Sequence, residues 1–306
     1  MRKQVLVIGG SYFAGRVFSI LTSRGDDIYL HVVNRGRFPL HLNNVSQYIC
    51  DRHEPDKMAE LLPKDIVFDA VVDFCAYEPT EIGAIIDALP GRIRQYIFFS
   101  TASVYTVGND KKVETDEMIR NFGTDDPTVE YVLKKCLLEV EIKMECEKAS
   151  IPYTILRPAF IYGPFNYAPR ESWFVQQIVE RKPIPVPVDS DSKFNFVYVM
   201  DISAILNLCI GNEKAYNEIF NLSAPEDITY ESFIKTLEKV SDIPFATENV
   251  TVKQVEDRNI PLPFPLVGNE LYSGKKAEDV LGFTYTDFEV GMKKTFDVFK
   301  DVYEHR

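Results

Sequence analysis

Short apolar runs alternate with longer segments of helical periodicity through the first half of the chain. The runs apolar enough for buried strands are Gln4–Ile8, Ile28–Val33, Ser46–Cys50, Phe68–Phe74, Gln95–Ser100 and Tyr153–Leu156. The helices predicted between them are Val17–Arg24, Pro55–Leu62, Pro79–Leu89 and Thr128–Ala149. Strands that alternate with helices predict an α/β fold with a doubly wound parallel sheet.

Prolines interrupt the second half of the chain. They cluster between Pro158 and Pro187 and again between Pro261 and Pro265, where they disfavour central strands and helix interiors. We therefore expect extended loops that frame a cleft, and a surface loop over the polar stretch 108–126. The elements predicted around them are helices near Glu171–Glu180, Asp201–Ile210, Tyr230–Val240 and Asp287–Tyr303, and strands over Phe194–Val199 and Glu218–Leu222.

A glycine-rich turn follows the first predicted strand. The segment from Gly9 to Gly15 separates that strand from a helix, and a second strand comes next. Such a unit holds a dinucleotide pyrophosphate at a helix N-terminus, where the helix dipole favours negative charge. The alternative is an ordinary turn between two core elements. We predict a Rossmann-type domain over 1–165 and 192–224, and a smaller, interleaved α+β substrate-binding region over 166–191 and 225–306.

Composition narrows the class of protein. The chain has 306 residues and a net charge of −12, which disfavours a nucleic-acid partner because that needs a basic face. The five cysteines form no CxxC pair and the four histidines have no ligand spacing, so we expect reduced cysteines and no metal site. The N-terminal apolar run is too short for a signal peptide, and no run approaches a membrane span. We therefore expect a cytoplasmic protein.

A tyrosine and a lysine stand four residues apart in the longest predicted helix. Tyr131 and Lys135 would share one face of that helix. An ammonium beside a phenol favours the phenolate and lowers a pKa that is ordinarily about 10. Tyr131 could then exchange a proton near neutral pH. The alternative is a solvated helix face, because this spacing also arises by chance.

Hydroxyl residues follow the strand that ends near Ser100. In an open parallel sheet, ligands bind beyond the carboxyl ends of the strands. Thr101 and Ser103 are therefore candidates for hydrogen bonds to a substrate oxygen. The alternative is that these hydroxyls only cap the following turn.

The order of these parts resembles the short-chain dehydrogenase/reductase superfamily. The glycine turn comes first, then the hydroxyl-tipped strand, then the Tyr-x-x-x-Lys helix. Glu139 continues the Tyr-x-x-x-Lys-x-x-x-Glu spacing of extended members. The segments 156–164, 196–201 and 220–222 resemble further motifs of the NAD-dependent epimerase/dehydratase group, so the resemblance covers nearly the whole chain.

The resemblance implies a role for each matching residue. Thr101 would bind the reacting oxygen, Tyr131 would be the acid/base, and Lys135 would hold the nicotinamide ribose. The residues that would bind the cofactor are Gly9, Gly10, Ser11, Tyr12, Phe13, Gly15, Asn34, Arg35, Asp51, Cys75, Ala76, Tyr77 and Pro158. Ser103 and Tyr162 would bind substrate.

The implied function is that of an NAD(P)-dependent oxidoreductase or epimerase. It would act by hydride transfer on a nucleotide sugar or a related polyol or carbonyl compound, and a homodimer is compatible with the family. Dehydration is disfavoured, because dehydratases of the group carry an acidic pair where Ala102 and Ser103 stand.

Two departures from the extended pattern leave an alternative function open, although the complete Thr101, Tyr131 and Lys135 set favours an enzyme. Tyr12 fills the middle position of Gly-x-x-Gly-x-x-Gly, and Asp73 stands where epimerases usually have histidine. The first departure resembles an atypical subgroup, some members of which bind RNA or lack oxidoreductase activity. A non-catalytic dinucleotide-binding regulator or RNA-associated protein is therefore the alternative.

The end of the second predicted strand bears on cofactor choice. NAD-specific folds place an acidic residue there to bind the ribose hydroxyls, but this chain has Asn34, followed by Arg35 and Arg37. An amide does not repel a 2′-phosphate, and a guanidinium can bind one. This predicts NADP in preference to NAD. The alternatives are a polar turn with solvated charges, or an NAD site in which Asn34 accepts a ribose hydroxyl.

Overall fold

The computed structural model describes residues 2–106, 108, 110–120 and 127–305. The predicted surface loop over 108–126 lies partly outside these residues. The strands are β1 (Lys3–Ile8), β2 (Ile28–Asn34), β3 (Val45–Ile49), β4 (Ala70–Asp73), β5 (Tyr96–Phe99), β6 (Tyr153–Pro158), β7 (Phe160–Tyr162), β8 (Ile184–Pro187), β9 (Phe196–Tyr198), β10 (Glu218–Leu222) and β11 (Thr247–Val250).

Seven of these strands form one parallel sheet in the order β10-β6-β5-β4-β1-β2-β3. The helices are α1 (Phe13–Thr22), α2 (Pro55–Leu61), α3 (Glu81–Ala88), α4 (Pro127–Ala149), α5 (Glu171–Val179), α6 (Val199–Cys209), α7 (Tyr230–Val240), α8 (Val252–Asp257), α9 (Lys275–Leu281) and α10 (Phe288–Glu304).

Both faces of the sheet are covered. Along β1, Val5 and Val7 pack into an apolar cluster shared with α1 and α6. Leu6 and Ile8 pack into a second cluster on the opposite face, shared with α2, α3 and α4. Side chains alternate across a strand, so a strand buried on both faces reads as a continuous apolar run. The predicted doubly wound α/β fold is confirmed.

The strand order reverses at β1. This strand pairs with β2 on one side and with β4 on the other, so that Ile8 lies opposite Val33 and Asp73. The connections from β1 therefore leave in opposite directions, which opens a crevice beyond the carboxyl ends of β1 and β4. Open α/β sheets bind ligands at this position.

The remaining strands form two small parallel pairs, β7 with β9 and β8 with β11. Around them lies an aromatic cluster whose rings are within about 6 Å of one another, formed by Phe160, Tyr162, Phe174, Phe194, Phe196, Phe233, Phe264 and Phe288. This cluster is continuous with the apolar layer under α1 and α6. The division into a domain over 1–165 and 192–224 and a region over 166–191 and 225–306 stays a prediction.

One helix boundary and one strand differ from the prediction. Helix α1 begins at Phe13, directly after the glycine turn, rather than at Val17. Strand β8 contains Pro185 and Pro187, in a segment predicted to be loop. The alternate residues Ile184 and Val188 donate their N–H groups to the β11 side, so neither proline removes a needed donor.

Candidate active site

Three glycines shape the turn after β1. Gly9 and Gly10 have φ angles of 98° and 71°, which favour glycine. A Cβ on Gly15 would lie 2.7 Å from the Cα of Gly10, so only glycine lets α1 approach the turn this closely. The N-terminus of α1 therefore lies at the crevice, where its N–H groups and dipole favour an anion such as a phosphate.

The crevice widens into a cleft of about 1150 Å³. It extends from the glycine turn past the ends of β4 and β5 to α4 and to the segments that follow β6 and β7. The predicted site residues on its walls are Gly9, Gly10, Ser11, Tyr12, Phe13, Gly15, Asn34, Arg35, Asp51, Cys75, Tyr77, Thr101, Ser103, Tyr131, Lys135 and Pro158. Residues distant in sequence are thus brought together around one cavity.

Two predicted site residues lie off this wall. Ala76 is fully buried, so its side chain does not reach the cleft. Its backbone oxygen accepts a hydrogen bond from Lys135. Tyr162 is buried in the aromatic cluster, 5.6 Å from Phe196 and 5.3 Å from Phe288 between ring centroids. The placement of Tyr162 in the core does not support its predicted contact with substrate.

Tyr131 and Lys135 occupy one face of α4 at the cleft. Lys135 is buried, and its Nζ donates to the backbone oxygens of Ala76 and Phe99 at 2.8 and 3.0 Å. Burial lowers the pKa of Lys135 to about 8. Its Nζ lies 5.8 Å from the centroid of the Tyr131 ring. The ammonium therefore donates its hydrogen bonds to the segment after β4 and to the end of β5 rather than to the phenol.

The pKa of Tyr131 departs from the prediction. Its side chain is 39% exposed but lies within the cleft walls. Burial raises the pKa of Tyr131 to about 12, nearby Tyr167 raises it further, and Arg170 lowers it. The predicted lowering by Lys135 is wrong for this structure, because the lysine directs its hydrogen bonds to backbone oxygens. Tyr131 carries its proton at neutral pH.

Thr101 directly follows β5. Its Oγ1 accepts the backbone N–H of Ser103 at 3.2 Å and donates to the Ser103 Oγ at 3.3 Å. The hydroxyl thus caps a short 3₁₀ turn over Ala102–Val104, as the alternative explanation required. Both hydroxyl side chains also line the cleft, so capping and ligand contact are compatible here.

A buried chain of polar side chains supports the end of β5. The Ser100 Oγ donates to Glu139 Oε1 at 2.6 Å, and Arg157 donates to both oxygens of Glu139 at 2.9 and 2.5 Å. Arg157 also donates to the Tyr105 hydroxyl, which donates to Asn221. Since a buried charge needs a partner, these contacts fix α4 against β5 and β6.

The segment after β2 forms the opposite end of the cleft. Asn34 is buried and donates to the Gly9 oxygen at 3.2 Å, and its Oδ1 accepts from Gly36 N and Gln47 Nε2. Its carbonyl oxygen is therefore occupied by partners within the protein. Arg35 is exposed and has no ion pair among the residues that the structure describes. It remains available to a ligand.

Asp51 lies beside this segment, after β3. Its Oδ1 accepts the His53 backbone N–H at 3.0 Å and lies 2.7 Å from the His53 ring. That backbone hydrogen bond is the main cause of the lowered pKa of Asp51. The carboxylate is therefore charged at neutral pH on the cleft wall.

Sequence reasoning missed a buried ion pair beneath this end of the cleft. Arg52 donates to both oxygens of Asp73 at 2.8 and 3.1 Å, and the Tyr96 hydroxyl donates to the same carboxylate at 2.7 Å. Asp73, which departs from the family's histidine, is thus paired with Arg52 rather than directed to a ligand. The two residues lie 21 positions apart, so no local pattern in the sequence links them.

Sequence reasoning also missed the wall that faces Tyr131. Arg170 at the N-cap of α5, Glu270 and Tyr272 line this part of the cleft. The Arg170 guanidinium lies over the Phe160 ring, 5.3 Å from its centroid. Burial raises the pKa of Glu270, whose carboxylate accepts from Tyr272. The proline-rich composition predicted a cleft here without identifying its polar residues.

The described residues contain neither a cluster of metal-ligating side chains nor a helix suited to a membrane. Over residues 2–106, 108, 110–120 and 127–305, no three His, Cys, Asp or Glu side chains are grouped as metal ligands would be. None of the described helices combines the length and apolarity of a membrane span. The five cysteines are free.

The fold and the site together define a dinucleotide-binding protein of Rossmann type. The profile of the NAD dependent epimerase/dehydratase family matches residues 84–223. The chain is 30% identical, over 92% of its length and 75% of the relative's, to the chloroplast stem-loop binding protein of 41 kDa b from Arabidopsis thaliana. The chain belongs to the NAD-dependent epimerase/dehydratase family.

Two further proteins similar to this chain, one in sequence and one in fold, are enzymes by name. The UDP-glucose 4-epimerase of Vibrio cholerae is 26% identical over 162 residues, which span 51% of this chain and 46% of that enzyme. The UDP-glucuronic acid 4-epimerase of Bacillus cereus, solved with UDP-glucuronic acid and NAD, has the same fold. Its TM-score is 0.75 at 18% identity, over 98% of this chain and 100% of that one.

Proposed function

We propose that this protein is a nicotinamide-dinucleotide-dependent oxidoreductase or epimerase acting on a nucleotide sugar or a related polyol or carbonyl compound. One observation carries the proposal: Thr101, Tyr131 and Lys135 line the same cleft as the glycine turn, at the switch point of the sheet. The relatives named as epimerases support it.

The glycine turn and the α1 N-terminus would hold the cofactor's pyrophosphate, with Asp51 and Cys75 beside the adenosine and nicotinamide halves. The bound cofactor supplies the hydride chemistry. The protein supplies orientation and proton transfer. Thr101 Oγ1 would donate to the reacting oxygen, and Tyr131 would give or take its proton. Since burial raises the pKa of Tyr131 to about 12, Tyr131 holds the proton that a general acid must donate.

Action as a base needs a lower pKa at Tyr131. A cation near a phenol favours the phenolate. Arg170 already lowers the pKa of Tyr131, although burial outweighs its effect. A positively charged group bound beside Tyr131 would act in the same direction. We infer that proton abstraction depends on a loaded cleft.

Arg170 would also orient the substrate. It lines the cleft and forms no ion pair within the described part of the chain. An unpaired guanidinium in a cleft can bind phosphate or carboxylate with two hydrogen bonds. Nucleotide sugars carry such groups, and the Bacillus cereus enzyme was solved with one. Glu270 on the same wall would accept sugar hydroxyls.

We favour epimerase or reductase chemistry over dehydration. Ala102 and Ser103 follow Thr101, and neither carries the acid group that elimination of water needs. For the cofactor we favour NADP over NAD, because Arg35 and Arg37 line the cleft as exposed cations and Asn34 adds no negative charge. The Bacillus cereus structure holds NAD, so this preference is specific to our proposal.

A second copy of the chain would cover an apolar stripe on α4. Leu137, Val140 and Met144 are exposed there at helical spacing, with Met144 61% exposed. The outer face of this helix is therefore apolar as well as its buried face. We propose a homodimer through α4. Sedimentation of the wild type and of Met144→Lys tests it, and two monomeric species would contradict it.

The Arabidopsis relative favours one other function. Its name records stem-loop binding, so an RNA-associated protein without turnover is the second candidate. The net charge of −12 opposes it.

Mass spectrometry of co-purifying ligands, followed by NMR assays against a panel of nucleotide sugars with NAD and NADP, tests the function. We expect a bound dinucleotide and conversion of at least one sugar nucleotide, with Tyr131→Phe as the inactive control. Tight dinucleotide binding without turnover, together with a gel shift of stem-loop RNA, would favour the second candidate.

A further inference from the structure

Tyr12 replaces a glycine of the extended motif without backbone strain. Its φ of −123° is extended, a conformation open to any residue. The side chain therefore needs no adjustment of the turn, and it projects into the cleft, where 43% of it is exposed. The Tyr12 ring therefore has exposed surface with which it can contact a ligand.

Tyr12 contacts aromatic rings from two other walls of the cleft. Its ring meets Phe38, after β2, edge-on at 4.6 Å between centroids. It meets Tyr167, between β7 and α5, edge-on at 6.0 Å. Tyr167 also lies 6.3 Å from Phe13 at the start of α1. Edge-to-face pairs at these separations attract one another. Three separate segments are thus joined across the cofactor side of the cleft.

The segment that carries Tyr167 is fixed at its base and free at its tip. Buried Glu171 accepts the Gly163 N–H at 3.0 Å and the Asn166 amide at 2.9 Å. Tyr167 itself is 72% exposed. Its position is therefore set by the ring contacts with Tyr12 and Phe13 rather than by burial, so the contact can open without unfolding the loop.

We propose that Tyr12 and Tyr167 form an aromatic clasp that slows release of the bound dinucleotide. This inference rests on the proposed function, because it requires a dinucleotide at the glycine turn. A pyrophosphate held by the Gly9–Gly15 turn would adjoin Tyr12, so exchange would require the Tyr12–Tyr167 contact to part. The clasp is a retention device of this chain, since a glycine at position 12 could not provide it.

Displacement kinetics test the clasp. The protein is loaded with NADPH, excess NADP⁺ is added, and nucleotide fluorescence reports the dissociation rate constant. We expect Tyr12→Gly and Tyr167→Ala each to release NADPH about 3- to 10-fold faster, the factor expected for loss of one aromatic pair. Tyr12→Phe keeps the ring and is the matched control, with an expected rate within about twofold of wild type.

The double variant separates a clasp from two independent effects. If the rings act through their mutual contact, Tyr12→Gly combined with Tyr167→Ala releases NADPH no faster than the faster single variant. Unchanged release from both single variants, with melting temperatures equal to wild type, would overturn the clasp while leaving the proposed function intact. A wild type that binds neither NADPH nor NADH would overturn the proposed function, and the clasp with it.

Discussion

Arg157 and Glu139 form a bidentate ion pair that is almost completely sealed from solvent, with side-chain exposures of 2% and 0%. The pair joins the end of β6 to the middle of α4, one turn beyond Lys135. Glu139 also accepts the hydroxyl of Ser100, the residue before Thr101. Arg157 and Glu139 therefore hold Ser100, and with it the end of β5 that leads to Thr101, in position.

Loss of that pair should destabilise the protein strongly. Arg157→Ala leaves the Glu139 carboxylate buried without a cation, which costs about 3–5 kcal/mol of unfolding free energy. Urea denaturation measures the loss. The control is Lys148→Ala, which removes an exposed pair with Glu145 and should cost about 1 kcal/mol or less. Equal, small losses in both variants would contradict the role of the pair.

The glycine turn should not tolerate a side chain at position 15. Gly15→Val should abolish dinucleotide binding, because its Cβ would collide with the backbone of Gly10 at 2.7 Å. Fluorescence titration measures binding, and circular dichroism shows whether the variant folds. Gly25→Ala is the matched control, since a Cβ there meets only the Thr22 oxygen at 3.7 Å. A folded Gly15→Val protein with normal binding would refute the assignment.

Tyr131→Phe should cut turnover by about 100-fold or more, the usual contribution of a positioned acid or base. Dinucleotide affinity should stay near wild type, because the ring is retained. Single-turnover rates with the substrate found in the panel measure the effect. Unchanged turnover would remove Tyr131 from the mechanism.

Arg35→Ala should weaken NADP binding selectively. Removal of a charged hydrogen bond costs about 1–3 kcal/mol, and NAD affinity should hardly change. Calorimetric titration of both cofactors decides it. Arg94→Ala, on the surface away from the cleft and paired with Asp69, is the control. Equal losses for the two cofactors, or tighter NAD binding by the wild type, would show that Arg35 does not bind the 2′-phosphate.

Glu171 should make stability depend on pH. Burial raises its pKa from 4.5 to about 7, although hydrogen bonds from Asn166 oppose the shift. Between those pH values the folded state keeps a proton that the unfolded state loses, so stability falls as pH rises from 4.5 to 7. At 1.36 kcal/mol per pH unit this amounts to about 3 kcal/mol. Urea denaturation of wild type and Glu171→Gln at pH 5 and pH 8 measures it.

The comparison with Glu171→Gln isolates this one carboxyl. The wild type should lose stability relative to the variant between pH 5 and pH 8. If the difference in unfolding free energy between wild type and variant stays constant with pH, the pH dependence arises from other groups.

Local patterns in the sequence predicted most strands of the central sheet. The run before Gly9 predicted β1 because buried parallel strands are apolar on both faces, and Val5 and Leu6 indeed pack on opposite faces. The glycine turn and the Tyr131–Lys135 spacing predicted two walls of the cleft, because the geometry of each is local, within one turn or one helix.

Contacts between distant segments escaped sequence reasoning. Nothing near Lys135 in the chain shows that its ammonium donates to the backbone of residues 76 and 99. Nor does the sequence show the burial that raises the pKa of Tyr131. Arg170 was missed because Tyr131, whose pKa it lowers from across the cleft, lies 39 residues before it in the chain. Strand β7 was missed because its three residues lie between Pro158 and Pro164, and β11 was missed because three of its four residues are polar.

The hydrogen bonds of Lys135 affect how relatives of this protein are compared. An ammonium group has three donors, and here two of them join the segment after β4, at Ala76, to the end of β5, at Phe99. Because these hydrogen bonds support the fold, the lysine would be retained even in a family member without catalytic activity. The same lysine in a relative is therefore weak evidence for an enzyme. The partly exposed phenol of Tyr131 forms no hydrogen bond with a neighbour in the described structure, so this tyrosine is the better marker of activity across the family.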